Sequence, residues 1–147
     1  MARDSASGGA GYSGTPLAKK LGIKPGSRVA LVGMPRGFEG TLAGLPGDAS
    51  VARGVRRAGS IDVIVWQPRD ASALRAEFAG LADRLAAAGG LWVVWPKKAS
   101  GIATDLSDGV VRAAGLDGGL VDNKVCAVSE TLSGLRFVRR KRDRAGG

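Results

Sequence analysis

Three clusters of side chains with chemical potential follow three apolar runs in this sequence. Gly33, Arg36 and Gly37 come after Arg28-Val29-Ala30-Leu31-Val32. Trp66 and Arg69 close Ile61-Asp62-Val63-Ile64-Val65-Trp66, and Trp95, Lys97, Lys98 and Ser100 close Leu91-Trp92-Val93-Val94-Trp95. Guanidinium and ammonium groups attract anions, a glycine turn exposes backbone N–H groups, and an indole offers a flat face to a ring. If the three runs are parallel strands, their carboxyl ends form one rim, which is where open α/β sheets bind ligands. The expected site is therefore a basic crevice for a small anionic ligand, edged by those nine residues. A purely structural reading stands beside it, because strand-end loops collect charge and tryptophans often finish a core.

The turn after the first run imitates a nucleotide fingerprint without meeting it. A dinucleotide site needs Gly-x-Gly-x-x-Gly after a strand and an acid about 20 residues on for the ribose. Here the spacing is Gly33-x-x-x-Gly37-x-x-Gly40, Pro35 removes one backbone donor, and Val51-Ala52-Arg53-Gly54-Val55-Arg56 supplies no acid. No P-loop pattern occurs.

Other polar residues read as structural. Asp105, with Thr104, is expected to cap a helix. Cys126, between Val125 and Ala127-Val128, reads as a small hydrophobe, and Asp122 and Lys124 share a strand face and are expected to pair. Glu130 lies in a loop.

The chain has no histidine, which removes Ser-His-Asp and Cys-His nucleophiles, imidazole proton shuttles and histidine zinc sites. Its one cysteine cannot form an internal disulfide and suits a reducing compartment, so a cytoplasmic location is expected. No apolar run approaches the roughly 18 residues of a membrane helix, and the N-terminus has no secretory pattern, so no membrane partner is expected. The net charge of +9 is concentrated: six basic residues and one acid lie between Arg136 and Arg144. The tail Arg139-Arg140-Lys141-Arg142 offers sequence-independent phosphate contact.

The positioning elements follow from periodicity and breakers. Residues 1–11 read as a mobile arm, 12–139 as a single α/β domain and 140–147 as a basic flexible tail. Thr15-Pro16 opens a short helix that Gly22 ends. Strands are expected over 28–33, 50–55, 61–66 and 91–95, with a short helix over 38–43. Asp70 caps a helix whose face is Leu74, Phe78, Leu81 and Leu85; Ala86 to Ala88 sustain it and Gly89-Gly90 stop it. A second helix runs from a cap at Thr104 or Asp105 to about Ala114, with Leu106, Val110 and Ala113 inward and Gly115 at its end. Asn123–Val128 and Leu135–Val138 form a closing hairpin with a loop of about six residues. The result is a three-layer α/β sandwich with a mostly parallel sheet and a C-terminal antiparallel hairpin, whose exposed edge offers a route to homo-oligomers.

Three strings carry a family resemblance: Gly11-Tyr12-Ser13-Gly14-Thr15-Pro16-Leu17, the run from Leu91 to Ser100, and Gly119 to Val128 followed by Ser133 to Val138. They resemble a mostly actinobacterial group of small proteins known as domain of unknown function 3052, a resemblance from which no assigned activity carries over. A weaker resemblance is to class I S-adenosylmethionine methyltransferases, whose sheet also ends in an antiparallel hairpin and whose fifth strand often follows a Gly-Gly turn, as at Gly89-Gly90-Leu91. That resemblance implies a shortened Rossmann-like scaffold and S-adenosylmethionine as cofactor. This chain departs from it at Leu31-Val32-Gly33-Met34-Pro35 and in lacking the acid after the second strand.

These features favour a non-catalytic binding or regulatory module. The alternatives are a divergent methyltransferase-like or phosphate-handling enzyme using Lys97, Lys98, Ser100 and Asp105, and a nucleic-acid or ribosome-associated protein using its tail.

Overall fold

A computed structural model describes residues 15–42, 44–55 and 59–141. The expected arm at 1–11, the string Gly11 to Gly14, Arg56 and Arg142 fall outside them. Six strands form one sheet: β1 (Arg28–Val32), β2 (Ser50–Arg53), β3 (Ile61–Trp66), β4 (Leu85–Pro96), β5 (Val121–Ala127) and β6 (Leu132–Val138), in the order β2-β1-β3-β4-β6-β5. The pairs β1–β2, β1–β3 and β3–β4 are parallel, while β6 runs antiparallel to both β4 and β5. From β1 the chain goes outward to β2 and then returns to β3 on the opposite side of β1. The gap beyond the ends of β1 and β3 is therefore the topological switch point of the sheet.

Alternation along the buried strands divides their side chains between two cores. On one face Ile64, Trp66, Leu91, Val93, Trp95, Leu135 and Phe137 meet helices α2 (Ala71–Asp83) and α3 (Asp108–Asp117). Phe78 of α2 lies edge-on to Phe137 at 5.5 Å between ring centroids and tilted toward Trp66 at 6.3 Å. On the other face Val63, Val65, Trp92 and Val94 are covered by a thinner layer, made of the four-residue helix α1 (Leu17–Lys20), Ile23 and a 3-10 turn at Phe38–Thr41. There the buried Trp92 indole donates from Nε1 to the Leu21 carbonyl at 3.0 Å, so its polar edge is satisfied inside the core.

Asp70 caps α2 as its position predicts, accepting from Ala73 N at 2.8 Å. The helix does not continue through the alanines. It ends at Asp83, and Leu85 begins β4 opposite Ile61. The reason is tertiary. The Arg84 carbonyl accepts from Ile61 N at 2.8 Å, and the Arg84 guanidinium reaches the carbonyls of Val55 and Gly59. Arg139 then donates to the carbonyls of Ala82 and Leu85, at 3.0 and 2.7 Å, occupying acceptors that a longer helix would need. Gly89 and Gly90 are not a helix stop. They lie where β4 rejoins β3 after a register shift, and a Cβ there would meet the Asp62 carbonyl at 2.8 Å or Arg136 Nε at 2.3 Å.

The second helix also departs from expectation. Its N-cap is Ser107, whose Oγ accepts from Val110 N, and its buried face is Val111, Ala114 and Gly115, while Ala113 is exposed. Gly115 lies inside the helix, where a Cβ would come within 2.0 Å of the Phe137 ring. Close packing, not termination, requires glycine there. At the N-terminus Pro16 takes the N-cap position of α1 without a side-chain bond, and Gly22 has the expected left-handed φ of 83°. The hairpin loop is shorter than expected because β6 already begins at Leu132. No helix among the described residues is long and apolar enough to cross a membrane.

Candidate functional site

The switch point opens into a crevice of about 520 Å³. Its floor is the exit of β1 (Val32, Gly33) and of β3 (Trp66, Gln67, Pro68, Arg69). One wall is Ala73 and Glu77 of α2, and the other is Pro96 with Ile102, Ala103, Thr104 and Leu106. The two strand exits are knitted together at its base. Gln67 N donates to the Val32 carbonyl at 2.9 Å, and Gly33, at φ 67°, comes so near that a Cβ would lie 2.6 Å from the Gln67 carbonyl oxygen. Glycine is required at 33 both by its backbone conformation and by this approach.

A second groove of about 510 Å³ adjoins the first across Ile102 to Leu106, and is also lined by Trp95, Lys98, Asp105, Ser107 and Asp108. Asp105 does not cap α3. Its Oδ1 accepts from Ala71 N at 2.9 Å, adding a second carboxylate to the start of α2 beside Asp70 and pinning the dividing segment there. Thr104 Oγ1 accepts from Leu106 N at 3.1 Å within the same turn.

Of the nine residues expected at the rim, Gly33, Trp66 and Arg69 line the crevice, and Trp95 and Lys98 line the adjoining groove. Arg36 and Gly37 lie in the exposed β1 exit turn and line neither cavity. Lys97 holds the Thr131 carbonyl through its backbone N–H, while Ser100 Oγ donates to the Lys97 carbonyl and accepts from Ile102 N, so the hydroxyl serves the turn. The tryptophans are only 1% and 6% exposed, and both belong to the helical-face core. Neither offers an open indole face, which corrects the expectation of ring stacking.

Gln67 and Glu77 escaped the sequence reading. Among the described residues, Gln67 Oε1 is buried without a hydrogen-bond partner. An acceptor left in that state costs about 1–3 kcal/mol. The available signal was its place directly after Trp66 and two residues before Arg69. For Glu77, a helix position among other exposed residues, the sequence carried none.

Asp122 pairs with Arg112, which also grips Asp108, and not with Lys124, whose ammonium donates to the Lys20 carbonyl. The register shift between Asp122 and Lys124 separates them. Burial pushes the Cys126 thiol up, against the opposing pull of Lys20 and Lys124, so the sulfur is not a ready thiolate. Glu130 is exposed in the hairpin loop.

No family model matches the sequence, and no curated protein is similar to it. Solved structures do share its fold. A SAM-dependent methyltransferase from Aquifex aeolicus superposes with a TM-score of 0.58 at 14% identity, over 82% of this chain and 86% of that one. The magnesium protoporphyrin IX methyltransferase ChlM from Synechocystis PCC 6803, with bound SAH, gives 0.55 at 14% identity over 84% and 78%. A TehB-like SAM-dependent methyltransferase from Corynebacterium glutamicum gives 0.52 at 10% identity over 84% and 85%. The mixed six-stranded α/β sheet is thus Rossmann-like, in the form seen in class I methyltransferases.

That fold implies S-adenosylmethionine, and the residues do not fit it. The carboxyl end of β2, where a ribose-binding acid is required, carries Arg53, and the guanidinium is turned back onto the β1 exit turn. The crevice has no lining residue from β2.

Proposed function

We propose that the protein is a non-catalytic binding or regulatory module on a methyltransferase-like scaffold. Its crevice takes a small organic ligand with an anionic group for Arg69 and an N–H or O–H donor for Gln67. The observation that carries this reading is the unpartnered Gln67 Oε1 at a switch-point crevice. A turn of the carboxamide toward a bound donor would satisfy an acceptor that is otherwise a standing cost. Lys98, across the Ile102–Leu106 segment, adds a second cation to the same rim. The resemblance to the family known as domain of unknown function 3052 belongs to this proposal, since its Trp-Pro-Lys-Lys string is part of that rim.

Thermal-shift titration with small carboxylates and phosphomonoesters tests the reading, because a ligand that binds only the folded chain raises its melting temperature. The expected result is stabilisation by at least one member, lost in Arg69→Ala and reduced in Gln67→Leu. An equal shift in Arg69→Ala, or none from any member, overturns it.

The second reading, a divergent methyltransferase-like enzyme, is favoured by the likeness to the solved methyltransferases and opposed by Arg53. Turnover that disappears in Lys97→Ala or Lys98→Ala would establish it over the first. Phosphate contact through the tail is weakened as a reading by Arg139, whose guanidinium is bound to α2 and β4.

A further inference from the structure

The carboxyl edge of the sheet has two halves: a crevice opens where the exits of β1 and β3 meet, and beside it lie the exit of β2 and the turn that follows β1. The half at β1 and β2 is occupied by a single cluster. Arg53, the last residue of β2, donates from Nε and Nη2 to the two oxygens of Glu39 at 2.8 and 2.9 Å, from Nη1 to the Met34 carbonyl at 2.6 Å, and from Nη2 to the Pro35 carbonyl at 2.8 Å. Every guanidinium nitrogen is engaged, and both Glu39 oxygens are taken. The Arg53 hydrogen bonds hold the Glu39 carboxyl well below the usual range, at about 2, so the pair is fully ionised near neutrality.

Arg53 stands about 20 residues beyond Gly33, the distance at which a nucleotide-binding sheet of this type carries the acid that accepts the ribose hydroxyls. A vicinal diol donates two O–H groups and needs acceptors. A guanidinium has only donors. The carboxylate in this cluster, Glu39, already accepts from Arg53 through both of its oxygens in bidentate fashion, so a diol would have to compete with the guanidinium for it.

We infer that Arg53 is a specificity-determining residue: with Glu39 it closes the β1–β2 half of the edge to ribosyl ligands, S-adenosylmethionine included, and leaves the β1–β3 crevice to ligands without a ribose. What is barred follows from the Arg53 cluster alone. Only the destination of other ligands rests on the proposed crevice.

The test follows backbone amide signals by NMR while adenosine or S-adenosylhomocysteine is added to the full chain. In the wild type, residues 33–41 and Arg53 should not respond at millimolar ligand. Arg53→Ala frees Glu39 and should bind both probes at least about tenfold more tightly, a change of about 1.4 kcal/mol, with shifts in 33–41. Glu39→Gln in that background should cancel the gain. If Arg53→Ala does not give a folded spectrum, Arg53→Lys replaces it, because a point charge cannot hold both carboxylate oxygens and both carbonyls; a gain of about threefold is then expected. A wild-type response at 33–41, or no gain in the folded variant, overturns the inference. Neither result touches the crevice reading, whose probes carry no ribose and whose variants lie at Gln67 and Arg69.

Discussion

Arg53 and Arg69 leave parallel strands of one sheet at the same edge, and their surroundings give them opposite roles. Arg53 has a carboxylate and two backbone carbonyls within reach and is consumed by them. Arg69 stands exposed at the lip of a crevice whose lining includes one acid, Glu77. One half of the edge is therefore a closed ion-pair cluster and the other an open cavity. A cation marks a binding site only when the fold leaves its donors unspent. Counting cations along a rim does not reveal this, and it is why the four expected at this edge reduce to Arg69 in the crevice and Lys98 beside it.

The strongest way to break the distinction is at Gly33, which joins the two halves. Gly33→Ala combines a left-handed backbone with a Cβ 2.6 Å from the Gln67 carbonyl. It should lower stability by about 2–4 kcal/mol in denaturant unfolding, and collapse the β1–β3 junction that separates crevice from cluster. Next in size are the caps of the crevice wall. Asp70→Ala should cost about 1 kcal/mol, and Asp105→Ala about as much or less. Only Asp105→Ala should also speed amide exchange from Ile102 to Leu106, because it releases that segment from α2. A protected segment in that variant would show that something other than Asp105 divides the two cavities.

The Arg53 cluster should contribute less to stability than either, since both side chains are about two-fifths exposed. Its signature is a titration. The folded Glu39 pKa of about 2 lies below its unfolded value. Its stabilising contribution is therefore present above the ordinary carboxylate range and is lost as pH falls toward 2. In Arg53→Gln the Glu39 carboxyl signal should titrate in the ordinary range; a midpoint still near 2 would mean that Arg53 is not what holds it. The smallest effect is expected from removing residues after Lys141, which should leave the crevice signals unchanged. Removing Arg139 as well should destabilise the end of α2, whose carbonyl it binds.

Much of the scaffold was legible in order. The strands at 28–32 and 61–66 stand out because apolar runs between Gly, Pro and Asp breakers admit little else, the strand at 50–53 is poorly marked because Ser50 and Arg53 bracket only two apolar residues, and Asp70 announces its helix through an acceptor at the N-cap. The Leu85–Gly90 stretch misleads because alanine favours helix strongly and Leu85 falls in phase with Leu81. What draws it into the sheet is a set of partners far off in sequence, Ile61, Val55, Gly59 and Arg139, that no local pattern displays.

The candidate site divides in the same manner. The sequence alone determined that an edge with Gly33, Trp66, Arg69, Trp95 and Lys98 would exist, because strand direction and residue order place strand exits together. It also ruled out histidine chemistry, since composition is independent of the fold. Only tertiary structure decided that the indoles face the core, that Ser100 and Asp105 are spent on backbone N–H and carbonyl groups, that Gln67 Oε1 is left without a partner, and that Arg53 is locked to Glu39. A side chain's chemistry is inherited from the sequence, but whether its donors and acceptors are free depends on which distant groups the fold brings within about 3 Å.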